Sequence, residues 1–475
     1  MTAPSQEHAP LAATRVPGRV RWVLVAGAVL GILWATHRLA LLVTGHSPML
    51  WVYVAGMGFL VWQLATAAFD RPAAASPDGA ARLAAARVAV LVPVYNEDDD
   101  ILRGNLEALL RQTHPPAAVC VVDDGSTTSD YAPVRDWFVE AATRAGVTAT
   151  WQRQVNGGKR SAQVAGARTY PGADFYVTVD SDTQLDARAI EESLQPFEDP
   201  QVQSVAGTIL VTNYRTNVLT RMQEVWYLSM QMVDRAALSR AGAVLVNSGG
   251  LATYRAAILW DHVDQYLTET FRGRPVHTSD DSLLTLFAQQ RGRTVHQPSA
   301  FAFTAMPSTF DGHRRQQLRW MRGSFLRSGT RLRSLPLGRF SYWYHVARWM
   351  QYTAATVALV AVVASGALLD PVTLTLGACI IGSVQLVVAS PYLALRRSDQ
   401  TTIQRLAVFA CAPLVALWSV TFLRVLRWYA MATVTNVSWG TRQSVEITGA
   451  AAAALRSVRP STLSGTERVE RDGGR

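Results

Sequence analysis

A chain of 475 residues is too long for one compact domain, and 49% hydrophobic against 17% charged residues is more apolar than an ordinary soluble protein. The net charge of +10 comes almost entirely from arginine and points to nucleic acid, an anionic membrane surface or a phosphate-rich substrate. Cys120, Cys379 and Cys411 lie in apolar runs without metal spacing, which excludes a disulfide framework and places the polar part of the chain in a reducing, cytosolic setting.

Residues 1–20 are Pro/Ala-rich and read as a disordered N-terminus. Two apolar runs, 21–45 and 48–69, are each about 20 residues, enough to span a bilayer, so 21–70 reads as two transmembrane helices. They come in tandem without a small-residue cleavage site after the first, unlike a signal peptide. A linker at 70–85 leads to a mixed polar domain over 86–340. In that domain, strand-like runs at 87–95, 117–124, 147–154 and 174–182 alternate with helical spacing at 98–112 and 159–169. The alternation predicts a parallel α/β sheet, with ligands bound beyond the carboxyl ends of its strands. Segment 217–240 is amphipathic and rich in Met and Trp, which fits a helix in the membrane interface or a core helix equally.

The C-terminal transmembrane region, 344–434, holds apolar runs at 344–369, 371–395 and 401–434. Nine arginines between 314 and 348 predict that the middle domain is cytosolic, and Arg396 and Arg397 mark a second inside loop. Pro413 predicts a break in the last run, giving three or four segments and a polar tail, 435–475, on the inside. Because the arginines flank membrane spans, no separate nucleic-acid-binding domain is expected.

Four polar elements carry chemistry. In "VDSD", Asp180 and Asp182 can offer hard oxygen ligands to Mg²⁺ or Mn²⁺, although a strand-end turn with Asp182 as a helix cap has the same pattern. In "VVDDGST", Asp123 or Asp124 can bind a uracil or ribose, or form a capping turn. "NGGKRSAQ" sets glycines before Lys159 and Arg160 at a helix start, a candidate diphosphate cradle. "HTSDDSLLT" opens a helix with two carboxylates, of which Asp281 is a candidate general base.

In this order, "VPVYNE", "VVDDGS", "NGGKRSAQ", "VDSDT", "SGGLATYR", "SDD", "QQLRW" and "SWGTR" resemble the membrane-integrated, processive family-2 glycosyltransferases, the group of cellulose, chitin and hyaluronan synthases. The likeness extends from 92 to 442 and is nearest to hyaluronan synthases and rhizobial chitin-oligosaccharide synthases. Ser248-Gly249-Gly250 departs from the usual S-G-P, and Ser282 stands where Arg usually follows the D-D pair. The resemblance implies a cytosolic, Rossmann-like GT-A domain between transmembrane helices, with interfacial amphipathic helices, at the plasma membrane. Tyr95, Glu97, Asp123, Asp124 and Lys159 would bind UDP. Asp180 and Asp182 would hold the metal and UDP-sugar. Asp281 would be the base of an inverting transfer. Gln316, Trp320 and Asp280 would lie at the acceptor, and Arg319, Trp439 and Arg442 would reach the nucleotide. The implied partners are UDP-sugars (UDP-GlcNAc, with UDP-GlcUA), a growing polysaccharide and membrane lipids.

Within "FDGHRRQQLRWMRGSF", Gln316, Arg319 and Trp320 share a helix face, and Arg314, Arg315 and Arg322 read as topogenic or headgroup-facing charges. Chitin-oligosaccharide synthesis, a non-processive transfer to a lipid-linked sugar, and a transporter or receptor with an inactive domain are the competing readings.

Overall fold

The computed structural model describes residues 10–15, 26–27, 30–31, 34, 48–366 and 369–435. Most of the expected span at 21–45, and the tail with Trp439 and Arg442, lie outside the described residues.

The expected strands form as β2 (Val88–Val94), β3 (Ala118–Asp123), β4 (Thr148–Arg153) and β5 (Phe175–Thr178). β2 and β3 are almost continuously apolar because helices cover both faces of the sheet. Those helices include α2 (Asp99–Leu110), α3 (Ala132–Ala145) and α4 (Lys159–Thr169). Leu102, Leu106 and Phe138 pack on one face with Val90, Val92 and Val121, and Val164 and Ala167 on the other with Leu91 and Cys120.

The sheet has eight strands, completed by β6 (Gln184–Leu185), β7 (Val202–Val211), β8 (Ala252–Arg255) and β9 (Arg293–Thr304). In space they run β4-β3-β2-β5-β8-β7-β9-β6. The sheet is mixed rather than all parallel: β8 is antiparallel to β5 and β7, and β6 is antiparallel to β9. The strands that deviate lie after the first four, where local alternation of strands and helices gives way to long-range pairing.

Segment 217–240 becomes α5 (Val218–Ser229), a π turn (Met230–Arg235) and α6 (Ala236–Arg240). Val225, Leu228 and Met232 are buried between the sheet residues Leu210 and Phe303 and the membrane-helix residues Ala389, Tyr392 and Val415. The segment is thus the layer that joins the sheet to the apolar C-terminal helices. Its ionic counterpart is a fully buried cluster: Arg397 pairs with Glu224 at 2.5 Å and with Asp399 at 2.6 Å.

Residues 13–15, expected within a disordered terminus, are instead a strand, β1 (Ala13–Arg15), paired antiparallel with β10 (Leu395–Arg397). The Ala13 N–H donates to Asp186 Oδ2 at 3.1 Å. Its partners lie far along the chain, so no local pattern announces it.

Among the described residues, three helical stretches are long and apolar enough to cross a membrane: Phe340–Ala364, Gly377–Ala394 and Thr402–Ala432. They follow α7 (Asp280–Arg291) and α8 (Phe310–Ser334) as α9 (Phe340–Ala364), α10 (Pro371–Ala389) and a broken run. Met350, Val357, Val360 and Val363 of α9 face outward, an apolar surface suited to lipid. An earlier apolar helix, α1 (Pro48–Ala68), lies within the expected second span. The last run is α11 (Thr402–Phe409), α12 (Ala412–Val420) and α13 (Phe422–Ala432). It breaks just ahead of Pro413, whose ring cannot continue a helix, and again at Thr421.

Candidate active site

The chain places Tyr95 and Glu97 after β2, Asp124 after β3, Lys159 after β4 and Asp180 after β5, all at carboxyl ends of parallel strands. They line one cavity of about 880 Å³. The same cavity takes in Asp182, Asp280, Asp281, Gln316, Arg319 and Trp320, and continues to Arg348, Trp349, Tyr352, Arg424 and Arg427 on the membrane helices.

Lys159, the only lysine in the chain, sits between Asp180 at 2.5 Å and Asp280 at 3.2 Å. Burial opposes its charge, but Asp180 and then Asp280 overcome this and raise it above the usual lysine range. Burial also drives Asp280 upward, yet Lys159 and then Arg160 hold it below the usual carboxylate range. Asp281 differs: burial and then the neighbouring Asp280 charge push it up to about 6. The left-handed turn at Ser279, φ 63°, starts α7 there and puts both carboxylates in its first turn. A carboxylate tuned near neutrality is suited to take a proton from a hydroxyl group.

Asp182 is pushed up to about 8 by burial, then by Glu97 and Asp180. Glu97 is itself raised by burial, against hydrogen bonds from the Asp98 N–H and the Ser181 hydroxyl. This density of buried carboxylates fits a divalent cation. Among the described residues no group of three His, Cys, Asp or Glu side chains forms a complete metal site. Asp180 and Asp182 would therefore hold Mg²⁺ or Mn²⁺ only together with oxygens of a bound diphosphate.

Three expectations change. The pair Asp123 and Asp124 divides: Asp124 lines the cavity, while Asp123 is buried beneath it, accepting from the Ser126 N–H at 2.8 Å and facing Arg153 at 3.4 Å. The glycine cradle is already filled, because the Gly157 and Gly158 N–H groups donate to Asp124 at 2.8 and 2.9 Å. Arg160 turns away from Lys159 into a buried cluster with Glu269, which also binds Arg327.

On α8, Arg319 and Trp320 line the cavity with Gln316, whose buried Oε1 has no protein partner among the described residues. The Trp320 ring lies 5.3 Å from Tyr227. Arg314 and Arg315 are half-exposed and pair with Asp311 at 2.7 and 3.4 Å. Arg322 instead turns inward, donating to the Thr433 hydroxyl at 2.9 Å over the Tyr429 ring.

Sequence reasoning missed Tyr227, Arg235, Gly249 and Gly323. A Cβ on Gly323 would meet Ser279 Cβ at 3.1 Å, so this glycine lets α8 approach the turn that carries Asp281. A Cβ on Gly249 would meet Lys159 Nζ at 2.8 Å and both Asp180 oxygens at 3.2 Å. The quoted "SGGLATYR" and "WMRGS" contained these signals, but only the packing gives them a role.

Residues 85–323 match the family model described as glycosyltransferase like family 2. The chain is 33% identical over 362 residues to a hyaluronan synthase of Streptococcus pyogenes serotype M1, covering 76% of this chain and 84% of the relative. The chain belongs to glycosyltransferase family 2. An N-acetylglucosaminyltransferase of Rhizobium sp. (strain N33) is 34% identical over 252 residues, covering 52% of this chain and 55% of its own. A mannosyltransferase from Pyrobaculum calidifontis, solved with GDP-Man and Mn²⁺, aligns at TM-score 0.49 and 19% identity, over 85% of this chain and 99% of that one. The family-2 match spans the sheet and the first half of α8, so the carboxylates, Lys159 and the Q-x-x-R-W face all lie inside it. The glycosyltransferase is therefore enzymatic machinery joined to apolar helices that associate with a membrane.

Proposed function

We propose that this protein is a processive, inverting β-glycosyltransferase that builds a polysaccharide from UDP-GlcNAc and UDP-GlcUA and exports it, as a hyaluronan synthase would. One observation carries the proposal: a single cavity joins the carboxylate-lined donor end, the base Asp281 and the Trp320 face to aromatic and arginine side chains on the membrane helices. A polymer lengthened at Asp281 then needs no new opening to reach the membrane.

In the proposed step, Asp124, Lys159, Asp180 and Arg319 orient the UDP-sugar, with Tyr95 and Glu97 at the nucleotide. A divalent ion on Asp180 and Asp182 would neutralise charge on the departing diphosphate. Trp320 stacks on the acceptor sugar, with Gln316 and Asp280 beside it. Asp281 takes the acceptor hydroxyl proton as that oxygen bonds to the anomeric carbon. The bond from that carbon to the diphosphate breaks and UDP leaves, with inversion.

The far end of the cavity favours an acidic polymer over chitin. Arg348, Arg424 and Arg427 line it with Tyr352, and the one carboxylate in ion-pair range among the described residues is Asp234, 3.9 Å from Arg348. Uronate groups on every second sugar would meet these guanidiniums.

The multi-pass arrangement with a cytosolic catalytic domain belongs to the same proposal. Both ends of 402–432 reach the catalytic domain: Gln404 accepts from Arg215 at 3.0 Å, and Thr433 binds Arg322. Two crossings need about 40 residues. The 31 residues here are too few, so the run enters and returns on one side.

The deciding experiment gives membranes UDP-GlcNAc and UDP-GlcUA, separately and together. The proposal expects long product only with both, degraded by a hyaluronan-specific lyase. Chitinase-sensitive product from UDP-GlcNAc alone would establish the chitin reading instead.

A further inference from the structure

The helical layer under the sheet is interrupted by the π turn at Met230–Arg235. Such turns are rare and recur at functional sites. This one puts two consecutive charged residues on the cavity wall, Asp234 and Arg235, facing opposite ways. Asp234 turns to the membrane helices, accepting from Gln63 Nε2 at 2.5 Å and from the Tyr344 hydroxyl. Arg235 turns to the sheet. Its Nη1 donates to the Gly207 carbonyl at 3.0 Å and to Gln231 Oε1 at 3.3 Å, and its Nη2 to Ser248 Oγ at 2.6 Å.

Ser248 opens the loop whose next residue, Gly249, leaves no room for a Cβ against the Lys159–Asp180 pair. The loop backbone is the wall on which that pair rests. Gln231 in turn holds β7 through the Ile209 N–H at 2.7 Å and the Ile209 carbonyl at 2.9 Å, so Gln231 and Arg235 both fix the π turn to the sheet.

We propose that Arg235 is a donor-positioning residue: its guanidinium, anchored on Gly207 and Gln231, holds Ser248 so that Gly249 backs the Lys159–Asp180 pair in the geometry that receives the nucleotide diphosphate. The planar fork is required because three oxygens in different directions must be bound at once, which a lysine ammonium on a flexible stem does not reproduce. This inference rests on the UDP-sugar reading above.

The test uses the full chain in membranes, with initial transfer rates measured against UDP-GlcNAc concentration at saturating UDP-GlcUA. Arg235→Lys, Arg235→Gln and Ser248→Ala are each expected to raise the donor KM about ten-fold, the scale of a hydrogen bond to a charged group. kcat should fall by less than KM rises. The double variant Arg235→Gln/Ser248→Ala should raise KM no further than the worse single variant, since both remove one shared bond. A merely structural fault reduces the number of active molecules, and hence the maximal rate, without moving KM. Unchanged donor KM in Arg235→Lys and Ser248→Ala, or fully additive shifts in the double variant, overturns the inference. If Arg235→Gln fails to accumulate, Ser248→Ala decides alone, because it deletes a single hydroxyl. Absence of UDP-sugar transfer by the unmodified enzyme is a different result, and it overturns the donor reading itself.

Discussion

The proposed base makes the clearest quantitative demand. Asp281 is held at about 6 by burial and then by the Asp280 charge. Its folded-state pKa lies above the usual carboxylate range, so the active, ionised form is present above about pH 6 and is lost as pH falls through it. Roughly nine-tenths of the enzyme carries the ionised base at pH 7 and roughly one-tenth at pH 5. The value of about 6 belongs to the unliganded enzyme and is read in kcat/KM, while kcat at saturating donor should fall about ten-fold per unit below the pKa that Asp281 holds with donor bound. Asp182, pushed up to about 8, belongs to a different limb. Donor and metal need it ionised to bind, so it should appear in kcat/KM and vanish from kcat.

Two variants separate these groups. Asp281→Asn should lower kcat by about 100- to 10,000-fold, the range for a lost general base, and leave UDP binding intact. Asp280→Asn removes the charge that lifts Asp281, so the surviving acid limb should move to lower pH. The assay is incorporation of labelled sugar into polymer, with calorimetric UDP binding as control. A kcat/KM without an acid limb between pH 5 and pH 7, or wild-type turnover in Asp281→Asn, refutes the reasoning.

Gly249→Ala should raise donor KM about ten-fold or more in the same incorporation assay, because the new methyl must displace Lys159 Nζ from Asp180. Arg319→Ala should abolish synthesis, while Arg315→Ala, half-exposed and paired with Asp311, should leave the rate within about two-fold; equal losses at equal membrane levels would refute the division. Arg397→Ala should destabilise the protein by about 3–5 kcal/mol, since it strands Glu224 and Asp399 in the interior, and a melting temperature equal to wild type in detergent would contradict that.

How much of this was legible depends on whether the signal is local. β2 and β3 were readable because burial on both faces demands unbroken Val-rich runs, and the carboxylates after them because strand ends are where a parallel sheet binds ligands. The pairings of β8 with β7 and β5 were not, since strand partners of this kind are chosen by packing between distant segments. The same limit hid the split between Lys159 and Arg160. Adjacent in "NGGKR", they point to Asp180 and Glu269 because a helix turns about 100° per residue, and the identity of each target depends on segments about 20 and 110 residues away. Gly157 and Gly158 looked like phosphate ligands because glycines before a helix leave N–H groups free, but Asp124 already accepts from both. The π turn had no sequence mark at all.

The cavity also has an electrical polarity that no single motif displays. Its donor end gathers Glu97, Asp124, Asp180, Asp182, Asp280 and Asp281 around Lys159, with Arg235 and Arg319 also on the wall. On the proposed reading a nucleotide enters this carboxylate-rich end with a divalent cation. The other end presents Arg348, Arg424 and Arg427. A polymer bearing carboxylates is repelled by the first end and attracted by the second. Each added uronate would therefore lower the energy of the chain as it moves toward the membrane and raise it if the chain slid back. A neutral chitin chain would gain nothing from this gradient.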